Sequence, residues 1–385
     1  MKKLLAKMDL PLLLLMFVFC ILGCVMVFSA SSISAVLRYH VSPYYFFFRQ
    51  AIIMVVMIII GLILIIRVPT SKYKLFAPFL LLGILAALVG LFVYGYISNG
   101  AQSWYDLGFF SFQPSEFAKS ILIIFMAVYY DRYSKIKKSN PLSSVIPLGV
   151  GLAMAILVAM QPDLGGAIII LGLCYLIFLA APIGKVIKSK VTLTIMGGLV
   201  LVLATLLISG GSILQEHQLN RLEFRNPCQR YLESTGYQVC NGFIAFHNGG
   251  LFGVGLGNST QKYLYLPEAH TDFIFPIIVE ELGLVVSFLI LIGYIIMLIR
   301  ILSIARHASN IRNSILAYGT FILLLSHILV NLLGVLALIP LTGVPLPFLS
   351  YGGSFSINII TMLFVCERVA IENKKAQSDK ELAKL

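Results

Sequence analysis

The stretch LPLLLLMFVFCILGCVMVFSA, residues 10–30, decides the fold class. It contains 21 residues without a charged side chain, and about 20 apolar residues in a helix are enough to span the hydrocarbon core of a bilayer. Lys2, Lys3 and Lys7 precede it, as they would in a secretion signal. A cleaved signal, however, has an apolar run of only about 7–15 residues. We therefore interpret residues 10–30 as the first membrane span.

Further apolar runs follow along the rest of the chain. Of its 385 residues, 59% are hydrophobic and 11% are charged, whereas soluble domains carry about 25% charged residues. This composition excludes a water-soluble globule. Ten spans are predicted, near residues 10–30, 46–66, 75–96, 114–130, 144–161, 164–182, 191–210, 273–299, 314–337 and 353–366. The sequence therefore predicts one all-α polytopic membrane domain over residues 1–385.

Lys and Arg are concentrated in alternate connecting segments. If Met1 faces the cytoplasm, the inside segments hold 21 of the 28 Lys and Arg residues, as the positive-inside rule requires. Both termini are therefore predicted to be cytoplasmic, with a tail over about residues 367–385. The same bias accounts for the net charge of +12, so anionic membrane lipid is a sufficient partner and no nucleic acid is required.

One large extracellular loop is predicted over about residues 211–272. Long loops are usually functional or disordered, and an amphipathic helix near residues 237–247, stopped by Gly249 and Gly250, favours order here. Cys228 and Cys240 both lie in this oxidising compartment, where a disulfide would stabilise the fold by about 3 kcal/mol. A zinc site would need more Cys or His at ligand spacing. We predict the disulfide and no metal site.

Asp272 precedes the apolar run that begins at Phe273, and two interpretations of it stay open. Asp is a favoured N-cap residue, and an acid suits the positive end of the helix dipole. Alternatively, a partly desolvated carboxyl group at the outer surface could be a general base with a pKa near neutrality. Substitution by Asn would separate the two, because Asn caps a helix but cannot take a proton.

Other charged groups are predicted at membrane depth, where they are costly. Glu116 and Lys119 stand three residues apart at the start of a span, as an ion pair or as a functional pair whose Lys holds a phosphate. Glu280 and Glu281 lie about 12 Å into the membrane. They are either structural hydrogen-bond acceptors or a proton relay, which would favour a transporter. Asp163 suits a tight turn.

Motifs that bind a nucleotide are absent from the sequence. It contains no Gly-x-x-x-x-Gly-Lys-Ser/Thr phosphate-binding loop, and the nucleophile motif of serine hydrolases, Gly-x-Ser-x-Gly, is absent too. If the protein forms bonds outside the cell, the substrate must therefore carry its own activation, such as a lipid pyrophosphate leaving group. Trp104, the only Trp, is expected to anchor at the interface, with sugar stacking as the alternative.

Several motifs together resemble the SEDS family (shape, elongation, division and sporulation) over nearly the whole chain. They are QPSEFAK (113–119), QPDLG (161–165), GYQ (236–238), GGLFGVGLG (249–257), QKYLYLPEAHTDFIF (261–275), EELG (280–283) and LTGVPLPFLSYGG (341–353). The resemblance implies a peptidoglycan glycosyltransferase that polymerises lipid II on the outer face of the plasma membrane. It also implies a class B penicillin-binding protein as partner. The loop containing Cys228 and Cys240 is most similar to the division branch, which implies other division proteins and the septum, with the elongation branch second.

The resemblance also assigns roles to residues. The family's essential acid falls on Asp272, and its functional Glu and Lys fall on Glu116 and Lys119. The family's loop Arg most nearly matches Arg221, with Arg225 close by. One departure is Ser103, which stands where the family usually has an Arg before Trp. We also expect Lys262, His270 and Trp104 to contact substrate.

The resulting hypothesis is an inverting displacement. Asp272 takes the proton of the acceptor hydroxyl while pyrophosphate leaves from the opposite side. Lys119, Arg221 and Lys262 are candidates to neutralise the pyrophosphate, with Mg²⁺ or Mn²⁺ from solvent as a further candidate. No tightly bound cofactor is expected. The alternatives are a flippase for lipid-linked precursors and a scaffold without activity.

Overall fold

The computed structural model describes residues 6–98, 101–108, 111–136, 141–208 and 224–383. Within these ranges the chain forms eleven α-helices, joined by short loops and a few 3₁₀ turns. The helices are α1 (Leu10–Leu37), α2 (Tyr45–Ile63), α3 (Tyr73–Tyr94), α4 (Pro114–Ser134), α5 (Ile146–Ala159), α6 (Leu164–Ala180), α7 (Lys185–Ile208), α8 (Ser234–Gly249), α9 (Ile274–Arg306), α10 (Ile311–Val335) and α11 (Gly353–Leu382). Three short strands, β1 (Tyr96–Ser98), β2 (Ala101–Asp106) and β3 (Ser111–Phe112), form a small antiparallel sheet in the order β1-β2-β3.

The predicted all-α polytopic architecture is confirmed. Seven helical segments of the described chain are long and apolar enough to cross a membrane, and α6 is a shorter apolar helix. Helices α4 and α7 occupy two further predicted spans, and α8 occupies the predicted surface helix in the outer loop. Some ends differ from prediction: α1 continues to Leu37, and α11 continues to Leu382, so most of the predicted tail is helical.

Polar side chains and prolines begin several helices. Asp9 caps α1, since its Oδ1 accepts a hydrogen bond from the Leu12 N–H at 3.2 Å. Asp163 caps α6 in the same way, through the Gly166 N–H at 2.8 Å. Pro114 occupies the first position of α4, where the missing N–H costs nothing. Local chemistry thus sets where these helices start.

The segments predicted to lie inside the cell meet at one face of the bundle. Asp9, before α1, forms an ion pair with Arg300 near the end of α9 at 2.5 Å. Asp131 of α4 lies 3.4 Å from Arg312 of α10. The Thr70 hydroxyl, before α3, donates to Glu372 of α11 at 2.7 Å. The positively charged segments therefore share one surface, and its cytoplasmic placement stays the prediction of the positive-inside rule.

Helix α9 is broken at Gly283, whose backbone has φ 80° and ψ 170°. The break would leave backbone groups unsatisfied at membrane depth, which is costly. The glycine-rich segment 249–257 replaces the missing partners by exchanging hydrogen bonds with both sides of the break. These bonds are Leu284 N–H to Gly250 O at 3.0 Å, Val285 N–H to Leu251 O at 3.2 Å, Val254 N–H to Glu280 O at 2.9 Å and Gly255 N–H to Glu281 O at 3.0 Å.

This exchange explains why the segment contains glycine. A Cβ atom added at Gly253 would lie 2.3 Å from the Glu281 carbonyl oxygen, and one at Gly249 would lie 2.1 Å from that of Val279. Both contacts are shorter than real atoms allow. The segment and the broken helix therefore fit together only if no side chain separates them.

We expect Gly253→Ala to lower the stability of the protein strongly. Both Gly253, with φ +78°, and Gly257, with φ +84°, have left-handed backbones, but nothing lies within 4 Å of a Cβ atom at Gly257. Gly257→Ala should therefore cost only the backbone strain of about 1–2 kcal/mol, whereas Gly253→Ala adds a backbone clash. Thermal unfolding in detergent should show a clearly larger fall in melting temperature for Gly253→Ala. Equal falls in the two variants would contradict the backbone exchange.

Candidate active site

Asp272 is buried, with 8% exposure, in the segment that leads into α9. It does not cap this helix: the N-cap residue is Phe273, which makes no side-chain capping bond. Instead, the Asp272 Oδ1 atom accepts a hydrogen bond from the Thr271 hydroxyl at 3.0 Å. The capping interpretation of Asp272 is therefore not supported. No helix-capping hydrogen bond occupies its carboxyl group.

The backbone around Asp272 is held by α10 and by the segment that precedes α11. The Asn331 side-chain amide donates to the Asp272 carbonyl oxygen and to that of Val344, both at 2.8 Å. The Ser350 hydroxyl donates to the Thr271 carbonyl at 2.6 Å. These contacts connect three distant parts of the sequence and fix where the carboxyl group stands. Asn331 is buried, and sequence reasoning missed it.

The surroundings of Asp272 favour a proton acceptor. Burial, which is the larger cause, and the nearby negative charge of Glu268 together raise the pKa of Asp272 to about 7. Within the described residues, no Lys or Arg forms an ion pair with Asp272. A general base works best when its pKa lies near the working pH, and Asp272 meets this condition.

His270 lies close to Asp272 in sequence but among aromatic rings. Its ring centroid is 4.7 Å from that of Phe46, 5.6 Å from that of Tyr351 and 6.4 Å from that of Tyr39. Burial lowers the pKa of His270 to about 4, so the ring is neutral at physiological pH. His270 therefore supplies no positive charge to a phosphate, and contact with substrate through its neutral ring stays a prediction.

Glu116, Lys119 and His327 form a buried polar cluster between α4 and α10. The Lys119 Nζ atom, with 1% side-chain exposure, lies 2.7 Å from Glu116 Oε1 and 2.9 Å from His327 Nε2. Among the described residues, Glu116 Oε2 has no hydrogen-bond partner. His327 is the single His in the predicted span 314–337. Because ionisable groups in membrane spans mark functional sites by default, sequence reasoning could have identified it.

Helix α10 connects this cluster to Asp272. His327 and Asn331 are separated by one helical turn, so they lie on the same face of the helix. His327 contacts the Lys119 amine, whereas Asn331 holds the backbone of Asp272. The structure thus links Glu116 and Lys119 with Asp272 through α10, and among the side-chain hydrogen bonds and ion pairs of the described residues none joins Glu116 or Lys119 directly to Asp272.

Lys262 has a different environment from the one a pyrophosphate ligand needs. Its side chain is 5% exposed, and Nζ lies 3.1 Å from Glu281 Oε1. It also donates to the Ser29 hydroxyl at 3.2 Å and to the Gly257 carbonyl at 2.5 Å. All three ammonium hydrogens therefore have protein acceptors, which supports a structural role for Lys262, and its contact with substrate stays a prediction.

Glu280 and Glu281 are also fixed by protein donors. Glu280 accepts from the hydroxyls of Ser259 and Thr260 and from the Asn248 amide. Glu281 accepts from the Ser29 hydroxyl at 2.7 Å and from Lys262. Their carboxyl groups tie α1 and the residues on either side of the glycine-rich segment to α9, which supports the structural interpretation and gives no support to a proton relay.

The remaining predicted residues lie around this centre or outside the described ranges. Trp104 is half-buried in β2, where it pairs with Tyr96 of β1. Asp163, besides capping α6, accepts a hydrogen bond from Ser115 at 3.1 Å. Cys228 and Cys240 form a disulfide bond. Arg221 lies outside the described residues.

A cleft opens close to Asp272, between the start of α8 and the end of α10. Its lining includes Arg230, Val239, Gly334 and Leu341. Gly334 follows Asn331 on α10, and Leu341 shortly precedes Gly343, where an added Cβ atom would lie 3.8 Å from Asp272 Oδ2. The cleft therefore borders the residues that hold Asp272.

Comparison with known proteins places the chain in a family. The sequence model of the FtsW, RodA and SpoVE proteins, described as "Cell cycle protein", matches residues 10–375. The chain belongs to this family. The "Probable peptidoglycan glycosyltransferase FtsW" of Bacillus subtilis (strain 168) is 37% identical over 385 residues, covering 97% of this chain and 94% of the relative. "Stage V sporulation protein E" of the same organism is 33% identical, covering 92% and 94%.

Two solved structures share the fold of this family member. One, described as "Structural coordination of polymerization and crosslinking by a peptidoglycan synthase complex", has a TM-score of 0.75 at 23% identity and covers 95% of this chain and 98% of the other. The crystal structure of the rod shape determining protein RodA of Thermus thermophilus has a TM-score of 0.66 at 23% identity, covering 95% and 97%.

We expect Lys119→Met to destabilise the protein by about 3–5 kcal/mol, because it leaves the Glu116 carboxylate buried without its partner. The double variant Glu116→Gln/Lys119→Met removes both charges and should recover part of the loss. Thermal unfolding of the two variants in detergent measures this difference. A double variant less stable than Lys119→Met would contradict an ion pair whose charges compensate each other.

Proposed function

We propose that this chain is a glycosyltransferase that polymerises lipid II into peptidoglycan strands, with Asp272 as the general base. The observation that carries this proposal is a buried carboxyl group, beside the large outer loop, whose pKa burial raises to about 7 and which caps no helix. The family supports the reaction, since FtsW relatives covering most of the chain are named peptidoglycan glycosyltransferases.

The reaction proceeds as a single displacement at the donor sugar. The Asp272 carboxylate accepts the proton of the acceptor's 4-hydroxyl while that oxygen forms a bond to the anomeric carbon of the donor. The bond from this carbon to the pyrophosphate oxygen breaks, and the undecaprenyl pyrophosphate leaves with the electron pair. Attack opposite to the leaving group inverts the anomeric centre. A positioned base contributes about 10²–10⁴ in rate.

The leaving pyrophosphate needs positive charge, and the chain offers limited choices. Glu116 and His327 engage two of the three ammonium donors of Lys119, and its side chain is 1% exposed, so a phosphate would reach the third donor only after a local rearrangement. Arg221 stays a candidate. No group of three or more His, Cys, Asp or Glu within the described residues could hold a metal ion. Mg²⁺ commonly uses only one or two protein carboxylates together with substrate phosphates, so Mg²⁺ or Mn²⁺ from solvent stays a candidate.

Substrate access requires a change at the outer face. With 8% exposure, the Asp272 carboxyl group cannot be reached by a whole sugar ring in this conformation. The cleft lined by Arg230, Val239, Gly334 and Leu341, between the start of α8 and the end of α10, holds only about 20 Å³ in this conformation. Opening of this cleft would admit the acceptor sugar to the base.

The partner and the location belong to the same proposal. One solved structure of this fold is a peptidoglycan synthase complex in which polymerisation and crosslinking are coordinated. We therefore assign a class B penicillin-binding protein as the crosslinking partner, together with other division proteins. Identity of 37% to an FtsW protein supports the division septum. Localisation of a fluorescently tagged copy tests this assignment, and signal along the lateral wall would instead support the elongation role.

Purified protein and its partner, given labelled lipid II, separate the possible functions. Glycan polymer supports the enzyme, movement of lipid between leaflets without polymer supports a flippase, and neither result supports a scaffold. The flippase is disfavoured because Glu280 and Glu281 are engaged by protein donors. Retention of the anomeric configuration in the product would reject the single displacement.

Asp272→Asn should lower the rate of polymerisation by at least about 100-fold, because Asn cannot accept the proton. The same change should raise stability at pH 8. Burial raises the folded-state pKa of Asp272 from 3.8 to about 7, so ionising it costs the native state about 1.4 kcal/mol per pH unit in that interval. Asn removes this cost. Polymer assays and melting curves of one preparation test both results, and full activity in Asp272→Asn would reject the base.

The rate of polymerisation should rise with pH and level off above about pH 7, since only the ionised Asp272 is a base. Glu268→Gln removes a negative charge that helps to raise this pKa. The rising limb of the profile should therefore move to lower pH in Glu268→Gln. A rate independent of pH between 5.5 and 8.5 would contradict Asp272 as the titrating group.

A further inference from the structure

A groove opens on the face opposite to Asp272, where the ends of three helices meet. Its walls come from Asp9 before α1, from residues 303–307 at the end of α9, from Ala308 and Ser309, and from residues 370–380 of α11. Its volume is about 490 Å³, within the roughly 300–1,000 Å³ of ligand sites. We call it the basic groove. The proposed transferase reaction uses none of its residues.

The charge of the basic groove is predominantly positive. Arg306, His307, Lys374 and Lys380 line it. The acidic residue in the lining, Asp9, has its carboxylate in an ion pair with Arg300 at 2.5 Å. Within the described chain, neither Arg306 nor Lys380 forms an ion pair with an acidic side chain. Two cations therefore face one cavity without a neutralising partner.

The position of the groove at the membrane surface and its lining indicate what kind of anion it accepts. Arg306 is the last residue of α9, a candidate membrane span, so the groove lies where that span leaves the bilayer. Apolar side chains, including Ile304 and Ala370, line it together with the cations. A ligand that carries both a phosphate and an apolar part matches this lining better than a fully hydrated ion does. The groove also belongs to the face predicted to be cytoplasmic, where anionic lipids attract Lys and Arg.

We propose that the basic groove binds the phosphate headgroup of an anionic phospholipid. Arg306 and Lys380 supply the positive charge. The apolar lining contacts the part of each acyl chain that lies nearest the glycerol. Because the groove joins the start of α1, the end of α9 and the α11 extension, an occupied groove holds these three segments together. Lipid binding should therefore stabilise the folded protein.

The test measures the melting temperature of the full chain in neutral detergent against the concentration of dihexanoyl phosphatidylglycerol. Three further additives separate the sources of binding: dihexanoyl phosphatidylcholine carries no net charge, glycerol 3-phosphate carries phosphate without chains, and hexaglutamate represents an acidic protein segment. The variant is Arg306→Gln/Lys380→Gln. The matched control is Lys74→Gln/Lys190→Gln, which removes two exposed cations from the same predicted face.

Dihexanoyl phosphatidylglycerol should raise the melting temperature, and half-saturation should need at least tenfold more lipid in Arg306→Gln/Lys380→Gln. The control should shift by less than twofold. If the double variant melts abnormally without lipid, each single substitution should still show a shift of at least threefold. Equal shifts in variant and control, or no protection by the lipid, would overturn the proposal. Equal protection by glycerol 3-phosphate would also overturn the proposal, because it would assign the groove to a soluble phosphate. Equal protection by hexaglutamate would overturn it by assigning the groove to an acidic protein segment.

Discussion

The backbone exchange between the glycine-rich segment and the broken helix α9 is the interaction on which the site depends. Non-helical backbone at membrane depth is stable only where protein groups replace the missing hydrogen bonds. Here the segment 249–257 supplies them on both sides of Gly283. The short part of α9 that precedes Gly283 begins two residues after Asp272. It ends with Glu280 and Glu281 close to the break. A change in the exchange would therefore shift the position of the Asp272 carboxyl group.

Buried acids of this chain are compensated to different degrees, and this difference separates structural from chemical roles. Glu281 has a Lys partner and two hydroxyl or amide donors. Glu116 shares Lys119 with His327 and keeps one oxygen without a partner among the described residues. Asp272 accepts a hydrogen bond from the Thr271 hydroxyl and one from its own backbone, has no Lys or Arg in an ion pair among the described residues, and lies near another negative group, Glu268. Of these three acids, Asp272 is the one without a cationic partner, and its pKa is raised to about 7.

Sequence patterns predicted those features that depend on local composition. Apolar runs located the membrane-spanning helices, of which seven in the described chain are long and apolar enough to cross a membrane, and the pairing of Cys228 with Cys240 follows from loop position and compartment. Features that depend on tertiary contact were not accessible. Lys262 was interpreted as a phosphate ligand because its partner Glu281 lies on another element, and Asn331 gave no signal because its acceptors, Asp272 and Val344, lie far away in sequence. Spacing alone also favoured an N-cap at Asp272, whereas the chain enters α9 one residue later, at Phe273.

The separation of Lys119 from Asp272 follows from the requirements of the reaction. A cation beside a carboxylate lowers its pKa by about 1–3 units, and a weaker base would take the acceptor proton less readily. Glu116 and His327 instead hold Lys119 within α4 and α10, and Asn331 transmits the position of α10 to the Asp272 backbone without adding charge. The chain thus keeps a positive group in the same helix framework as the proposed base while leaving the pKa of Asp272 near neutrality. Such an arrangement suits a reaction in which the base and the leaving pyrophosphate must stand on opposite sides of one carbon atom.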